Sequence, residues 1–341
     1  MARMRIRDIA DQAGVSPATV SRYLNNKPGQ MTEATRARIA EVIERTGYRP
    51  RSAARSLRLD NSHLIGVILA DSENPYSSTV LDALARGAAA RGYSIMASFS
   101  GNDPERECEA IDRLIDMGAE ALIVNTCGGA DEEVERAAAR VPVVLLDRDT
   151  ASAGLDLVTS NNEELMGGLL DEVRRSGCTW CGLLTEDADT SSVRRARAES
   201  FTRGLAARGM TGAVATLSDD AARAAADLAA FVPAGTDPVG IIAVNGLVFL
   251  HLVAALEEDA SGLRDRLRLA TFDDYLWNRA VYGGVTTAAQ DTEAIAQAVL
   301  DRVVDRLSAD VAVDGAAAPL RRELSGSIRH RASTDPMRSK V

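Results

Sequence analysis

The sequence is short of aromatic residues, cysteine and histidine, and it has no long apolar run. Aromatics make up 4% of 341 residues, with four cysteines and three histidines. No stretch of roughly 18 apolar residues occurs, which argues against a membrane-spanning helix. The basic start, MARMRIRDIADQAG, lacks the apolar segment of a secretory signal, so a cytoplasmic location is expected. His63, His251 and His330 are far apart and show no metal-ligand spacing, so no metal is expected. There is no P-loop, no G-x-G-x-x-G and no G-x-S-x-G, so no nucleotide cofactor or hydrolase nucleophile announces itself. Cys178 and Cys181 form C-T-W-C. Such a pair suits redox chemistry, half a metal site or plain structural thiols. Without a second C-x-x-C or a nearby histidine the structural reading is preferred.

What is present is unevenly distributed. The net charge of −10 divides into a basic head and an acidic body. Residues 1–60 carry twelve Lys/Arg against six Asp/Glu, and the remainder carry 27 against 43. A basic head suits a polyanion, while the length suggests two or three domains. Within the head, Ile6, Ile9, Ala10 and Ala13 recur at helical spacing, and Gly14 follows as a helix stop. Ser16 can cap a second helix with Pro17 at its first position, running to Leu24. Val15 and Val20 have the spacing of a hydrophobic staple. Thr32 can cap a third helix carrying Ile39, Val42, Ile43 and Thr46, which ends at Gly47. Helix, glycine turn and capped short helix make a helix-turn-helix pattern; the plainer alternative is a generic three-helix bundle.

The run I-R-D-I-A-D-Q-A-G-V-S-P-A-T-V-S-R-Y-L-N at 6–25, G-Y-R-P at 47–50 and A-A-R-S-L at 53–57 closely resemble the DNA-binding head of the LacI/GalR family of bacterial regulators. The resemblance implies that the second helix enters the major groove. Pro17, Ala18 and Arg22 match positions that face base edges, and Arg22 suits a bidentate contact to guanine. Ser16, Thr19, Ser21 and Asn25 are short polar groups suited to phosphates, with capping as the other role for Ser16. Residues 49–62 read as a linker in water, since short isolated helices are marginal. In the family this stretch becomes a minor-groove helix on DNA. Leu57 matches the leucine wedge, with Ala54 and Arg55 as groove-facing neighbours; packing against the core is the other reading for Leu57. Arg51 stands where asparagine is commoner and suits a phosphate contact.

From residue 63 short apolar runs alternate with helical stretches: LIGVILA, SIMASF, ALIVN, VVLLD, CGLLT, GIIAVN and LATFD. This implies parallel sheets with crossover helices, and ligands at the strands' carboxyl ends. The family resemblance covers this body too. It implies an α/β core like that of periplasmic sugar-binding proteins, with two lobes joined by three crossovers. The expected division is a head at 1–48, a hinge at 49–62 and a core at 63–341. Within the core, the N-lobe spans about 63–160 and 291–322, and the C-lobe about 161–290 and 323–341. Tyr76 and Ser77 follow E-N-P, Asp147 ends L-L-D-R, and Arg197 lies four before Phe201. With Asn245 and Asp273, these match the family's cleft positions. Asp147 and Asp273 can accept from hydroxyls, Asn245 can donate and accept, and Arg197 can clamp a carboxylate or a hydroxyl pair.

Three departures from the family pattern stand out: Asn245-Gly246 for Asn-Asp, Ser160-Asn161-Asn162 for a pattern with central aspartate, and Gly177-Cys178 for Gly-His. K-P-G-Q followed by M-T-E-A-T-R resembles regulators of ketodeoxygluconate and related sugar-acid use. The reading is therefore a DNA-binding repressor of carbohydrate or sugar-acid genes. It is expected to act as a homodimer on a near-palindromic double-stranded operator, under control of a small polar effector, with no cofactor. The alternatives are a ligand-binding protein with no DNA role, which would not need residues 1–60, and an enzyme, for which no nucleophile or base with a partner is evident.

Overall fold

The computed structural model describes residues 4–24, 31–46, 48, 62–151, 154–187, 191–259, 262–309 and 318–336. The chain forms two compact units, Met1–Ser62 and His63–Val341. In the first, helices α1 (Ile6–Ala13), α2 (Pro17–Leu24) and α3 (Glu33–Thr46) enclose a small core. That core comprises Ile9, Ala10, Ala13, Val20, Ile39 and Val42, with Val15 packed against it. The expected caps form: Ser16 Oγ accepts from the Thr19 amide at 3.2 Å, and Thr32 Oγ1 from the Thr35 amide at 3.3 Å. Gly14 ends α1 at φ +63°, a left-handed turn that glycine adopts without steric cost.

The second unit contains two six-stranded sheets among the described residues. The first uses β1 (Leu64–Leu69), β2 (Ser94–Phe99), β3 (Ala121–Asn125), β4 (Val143–Leu146), β5 (Asp156–Ser160) and β11 (Arg321–Leu324), in the order β11-β5-β4-β3-β1-β2. The second uses β6 (Trp180–Thr185), β7 (Thr211–Thr216), β8 (Val239–Ala243), β9 (Leu267–Phe272), β10 (Thr286–Ala289) and β12 (Ser327–Arg329), in the order β12-β10-β9-β8-β6-β7. The orders correspond strand for strand, and the lobes share one topology except for the direction of the edge strands β11 and β12. Every pair is parallel except β10 with β12. Central strands such as ALIVN and VVLL are buried along their whole length, as helix-covered parallel strands must be.

The chain passes between lobes after β5, after β10 and after β11. The last passage differs from the division expected at 322/323. Glu323 and Leu324 pair with Thr159 and Ser160, so both belong to the first sheet and the passage follows Leu324.

One charged group sits inside the first sheet's margin. Asp156 is 2% exposed and accepts from Arg302 Nη2 at 2.9 Å, Arg306 Nε at 2.7 Å and Nη2 at 3.1 Å, and the Leu320 amide at 2.7 Å. These bonds fasten the Thr292–Ser308 helix and the start of β11 to β5. Burial alone would raise the Asp156 pKa; the hydrogen bonds from Arg306 and Arg302 outweigh it and hold the carboxyl below its ordinary value. Asp156→Ala should destabilise the core by about 3–5 kcal/mol at neutral pH. Because the folded-state pKa is depressed, this contribution is full above the ordinary carboxylate pKa and is lost as pH falls through the lower folded value. Thermal melts from pH 7 downward should show the gap between wild type and variant narrowing in acid. A gap of constant size would refute the charge-based account.

Candidate functional site

The strand ends of the second unit place polar groups at a cleft between the lobes. Asp147 directly follows β4 and Asp273 directly follows β9, which hold equivalent places in the two sheets. Both adopt left-handed backbone, at φ +64° and +69°. Each keeps its backbone N–H bonded to the neighbouring strand: Asp147 to the Val158 carbonyl at 2.7 Å and Asp273 to the Ala288 carbonyl at 2.9 Å. Such conformations cost about 1–3 kcal/mol for a non-glycine residue and cluster at functional sites. At Asp147 the turn is tighter still, since the Arg148 amide reaches back to the Leu146 carbonyl at 2.6 Å, a three-residue γ-turn.

Arg197 projects from the Ser192–Ala207 helix and is 3% exposed. Its Nε donates to Asn162 Oδ1 and its Nη1 to the Val244 carbonyl, each at 2.7 Å. Its guanidinium lies over the Phe272 ring, 3.9 Å from the centroid. Burial pulls the Arg197 pKa down, while Asp273 and Asp147 act to hold it up. Burial pushes the Asp147 carboxyl up, against the pull of Arg197 and Arg148.

Tyr76 enters on the Pro75–Ala90 helix, which Asn74 caps by accepting from the Tyr76 amide at 3.0 Å. Its buried hydroxyl has no hydrogen-bond partner among the described residues, and burial beside Asp147 and Asp273 pushes the phenol well above its ordinary pKa. Asn245 caps the Gly246–Glu258 helix through the Val248 amide and donates to Glu186 at 2.7 Å, leaving one amide hydrogen and one lone pair. Tyr76, Ser77, Asp147, Arg197, Asn245 and Asp273 all line this one narrow cleft, whose cavity volume is about 30 Å³. Asp147 also borders a larger, more open groove of about 580 Å³ along residues 157–164, 192–203 and 321–323. The smaller cleft gathers all six residues; the groove carries Asp149, Glu163, Glu164, Glu199 and Glu323 on its walls.

Sequence reasoning missed several cleft residues. Arg148 and Arg194 line it from opposite lobes, and Gln290 bridges Asp273 Oδ1 and Ser160 Oγ, each at 2.6 Å. Arg148 was visible in L-L-D-R, but nothing in that string shows burial. The departures from the family pattern acquire reasons. Asn161 caps the Asn162–Arg175 helix through the Glu164 amide at 3.0 Å, and Asn162 orients Arg197. A Cβ at Gly246 would lie 2.5 Å from the Tyr275 ring, so glycine makes room for a tyrosine that faces Asp273. Cys178 is buried beside Ser176, and Cys181 is buried on β6.

In the head, Ser16, Pro17 and Ala18 are exposed, and Thr19, Ser21 and Arg22 are partly exposed along α2. Arg22 forms no ion pair among the described residues. Asn25, Arg51, Ala54, Arg55 and Leu57 lie outside the described residues.

The family models agree with this layout. Residues 5–51 match the model for bacterial regulatory proteins of the lacI family, and residues 65–310 match a periplasmic binding protein domain. The chain belongs to the lacI family of bacterial regulatory proteins. An HTH-type transcriptional regulator, PtxS, of Pseudomonas plecoglossicida is 35% identical over 99% of this chain and 97% of its own. KdgR of Bacillus subtilis (strain 168), also an HTH-type transcriptional regulator, is 32% identical over 89% of this chain and 91% of its own. A lac repressor dimer bound to operator and an anti-inducer has the same fold, with TM-score 0.79 and 22% identity over 98% of this chain and 99% of that one. Among the described residues no helix is long and apolar enough to cross a membrane.

The packing of Tyr275 on Gly246 yields a stability prediction. Gly246→Ala should cost about 1–3 kcal/mol by overpacking. Adding Tyr275→Ala should cost less than the two single losses combined, because the clash is then gone. Additive losses in chemical denaturation would show that the two residues do not meet.

Proposed function

We propose that this lacI-family regulator is a cytoplasmic, non-enzymatic repressor of carbohydrate or sugar-acid utilisation genes. It binds a near-palindromic operator as a homodimer, and its effector is a small polyhydroxylated molecule in the inter-lobe cleft. The observation that carries the reading is the convergence of two strained aspartates, a buried arginine between them and an unpartnered phenol on one cleft. Hydroxyl-rich ligands satisfy such a set, because each ligand hydroxyl can donate to a carboxylate while accepting from a guanidinium or phenol. The lac repressor of the same fold is a dimer on operator DNA, which supports the same assembly here.

On this reading residues 1–48 are the DNA-binding domain, 49–62 the hinge and 63–341 the effector-binding and dimerisation core. Arg22 reads a guanine edge, and Pro17 and Ala18 fit the groove floor. Ser16, Thr19, Ser21 and Asn25 hold phosphates. Leu57 is the minor-groove wedge, flanked by Ala54 and Arg55, with Arg51 on the backbone.

Footprinting on DNA upstream of the gene and its neighbours, at fixed salt and with a panel of sugars and sugar acids, tests the whole. A protected near-palindrome that one compound strengthens or releases is expected. Random-sequence selection that yields no preferred site would overturn the DNA-binding claim. Arg22→Ala should weaken specific binding by about 1–3 kcal/mol while leaving non-specific binding nearly intact. Arg197→Ala should abolish the effector response with operator binding retained; a normal response would refute the cleft assignment.

A further inference from the structure

Glu186 directly follows β6, and Asn245 lies two residues beyond β8, the neighbouring strand of the second sheet. One oxygen of Glu186 serves two partners. Its Oε2 accepts from Asn245 Nδ2 at 2.7 Å and pairs with Arg194 Nε at 3.0 Å. Arg194 Nη1 also donates to the Asp187 carbonyl at 3.2 Å, so one guanidinium holds two successive residues of the strand end. Asn245 and Arg194 are both buried and both line the cleft, whereas Glu186 touches it only through them.

The Asn245 amide is thereby fixed at both ends. Its Oδ1 accepts from the Val248 amide at 2.8 Å, and its Nδ2 is the group that can donate to a carboxylate. The backbone beside it is held by a second arginine. Arg197, about one turn after Arg194 on the Ser192–Ala207 helix, donates from Nη1 to the Val244 carbonyl at 2.7 Å. A free asparagine samples several rotamers and loses that freedom when a ligand arrives. Here the ordering is complete beforehand, and one N–H and one lone pair keep a set direction. Ordering one side chain at the moment of binding would cost roughly 2- to 10-fold in affinity.

We propose that Glu186 is a positioning residue of the effector cleft, which acts by orienting the Asn245 amide toward a ligand hydroxyl while Arg194 holds Glu186 in place. This rests on the cleft being the effector site and on no particular charge of the ligand. What Glu186 supplies to Asn245 is an acceptor at the right distance. A neutral amide oxygen at the same position offers that acceptor as well, whereas a methyl group does not.

The test is calorimetry on the full chain with five- and six-carbon aldoses, alditols, aldonates and 2-oxoaldonates, the tightest binder of wild type serving as probe. Glu186→Ala should weaken the probe about 5- to 30-fold, through the ordering cost and the misdirected amide. Glu186→Gln should bind it within about threefold of wild type, having kept the acceptor. Both variants remove the counter-charge of Arg194 and should lower the melting temperature alike, so a loss of stability cannot produce their difference in affinity. Asn245→Ser keeps a helix cap but has no amide, and it should weaken the probe at least as much as Glu186→Ala. In that background Glu186→Ala should weaken it no further.

Wild-type affinity in Glu186→Ala, beside a loss in Asn245→Ser, would overturn the positioning role and leave the cleft reading standing. Equal losses in Glu186→Ala and Glu186→Gln would make Glu186 a structural counter-charge instead. Additive losses in the Glu186→Ala, Asn245→Ser double variant would show that it does not act through Asn245. If Asn245→Ser and Arg197→Ala bind the probe as wild type does, or wild type binds no member of the panel, the cleft reading fails and takes this inference with it.

Discussion

The buried guanidinium of Arg197 is the interaction on which the cleft depends. It joins three elements of the C-lobe at once: Asn162 at the head of the Asn162–Arg175 helix, the Val244 carbonyl after β8 and the Phe272 ring at the end of β9. Asn162 is held in turn, its Nδ2 donating to the Ser160 carbonyl at 3.0 Å beside the first lobe passage. Burial raises the Asp147 pKa, and Arg197 is the largest of the influences that oppose this, followed by Arg148.

The two aspartates are also the clearest trace of the shared topology of the lobes. β4 and β9 end in the same way, with the chain turning left-handed at an aspartate while its amide stays in the sheet. The shared backbone strain aims two carboxylates from different lobes at one space. The rest of the two strand-end rows has diverged. Asn125 at the end of β3 donates to the Leu146 carbonyl at 2.9 Å, whereas its counterpart after β8, Asn245, caps a helix and reaches Glu186. Arg148 follows Asp147, whereas Asp274 follows Asp273 and is paired with Arg331. One arm of the repeat follows its aspartate with a buried cation that acts on Asp147, and the other with a carboxylate held in an ion pair.

Much of this was legible in the sequence, for physical reasons that also explain what was not. The head followed from helical periodicity, a left-handed glycine and two hydroxyl caps, all local signals. Central strands announced themselves as unbroken apolar runs because both faces are covered. β7, Thr-Gly-Ala-Val-Ala-Thr, is an exposed edge strand with no such run, and β5 opens with a charged residue whose partners lie about 150 positions away. The six cleft residues were found because they match the family's cleft positions, most of them at strand or helix ends. Arg148, Arg194, Gln290 and Tyr275 were not, because their roles depend on which charges and rings meet across lobes. No window of sequence holds that information.

The same distant contacts bear on how the cleft and the lobe passages act on each other. Ser160 lies at the first passage and Gln290 at the second, and their hydrogen bond continues through the Gln290 amide to Asp273. Asp273 also accepts from the Gly246 amide at 3.3 Å, so its oxygens already hold two donors. A carboxylate has about four acceptor positions, so a ligand hydroxyl can be added but must share an oxygen with Gln290 or with the Gly246 amide. A nearby contact, the Asp149 amide on Ser192 Oγ at 2.8 Å, crosses from one lobe to the other beside Val193 and Arg194 of the cleft wall. The passages are therefore pinned by side chains that themselves touch the ligand space. Allosteric couplings of about 1–3 kcal/mol amount to one or two such hydrogen bonds, so altering these contacts alone is enough to bias lobe geometry.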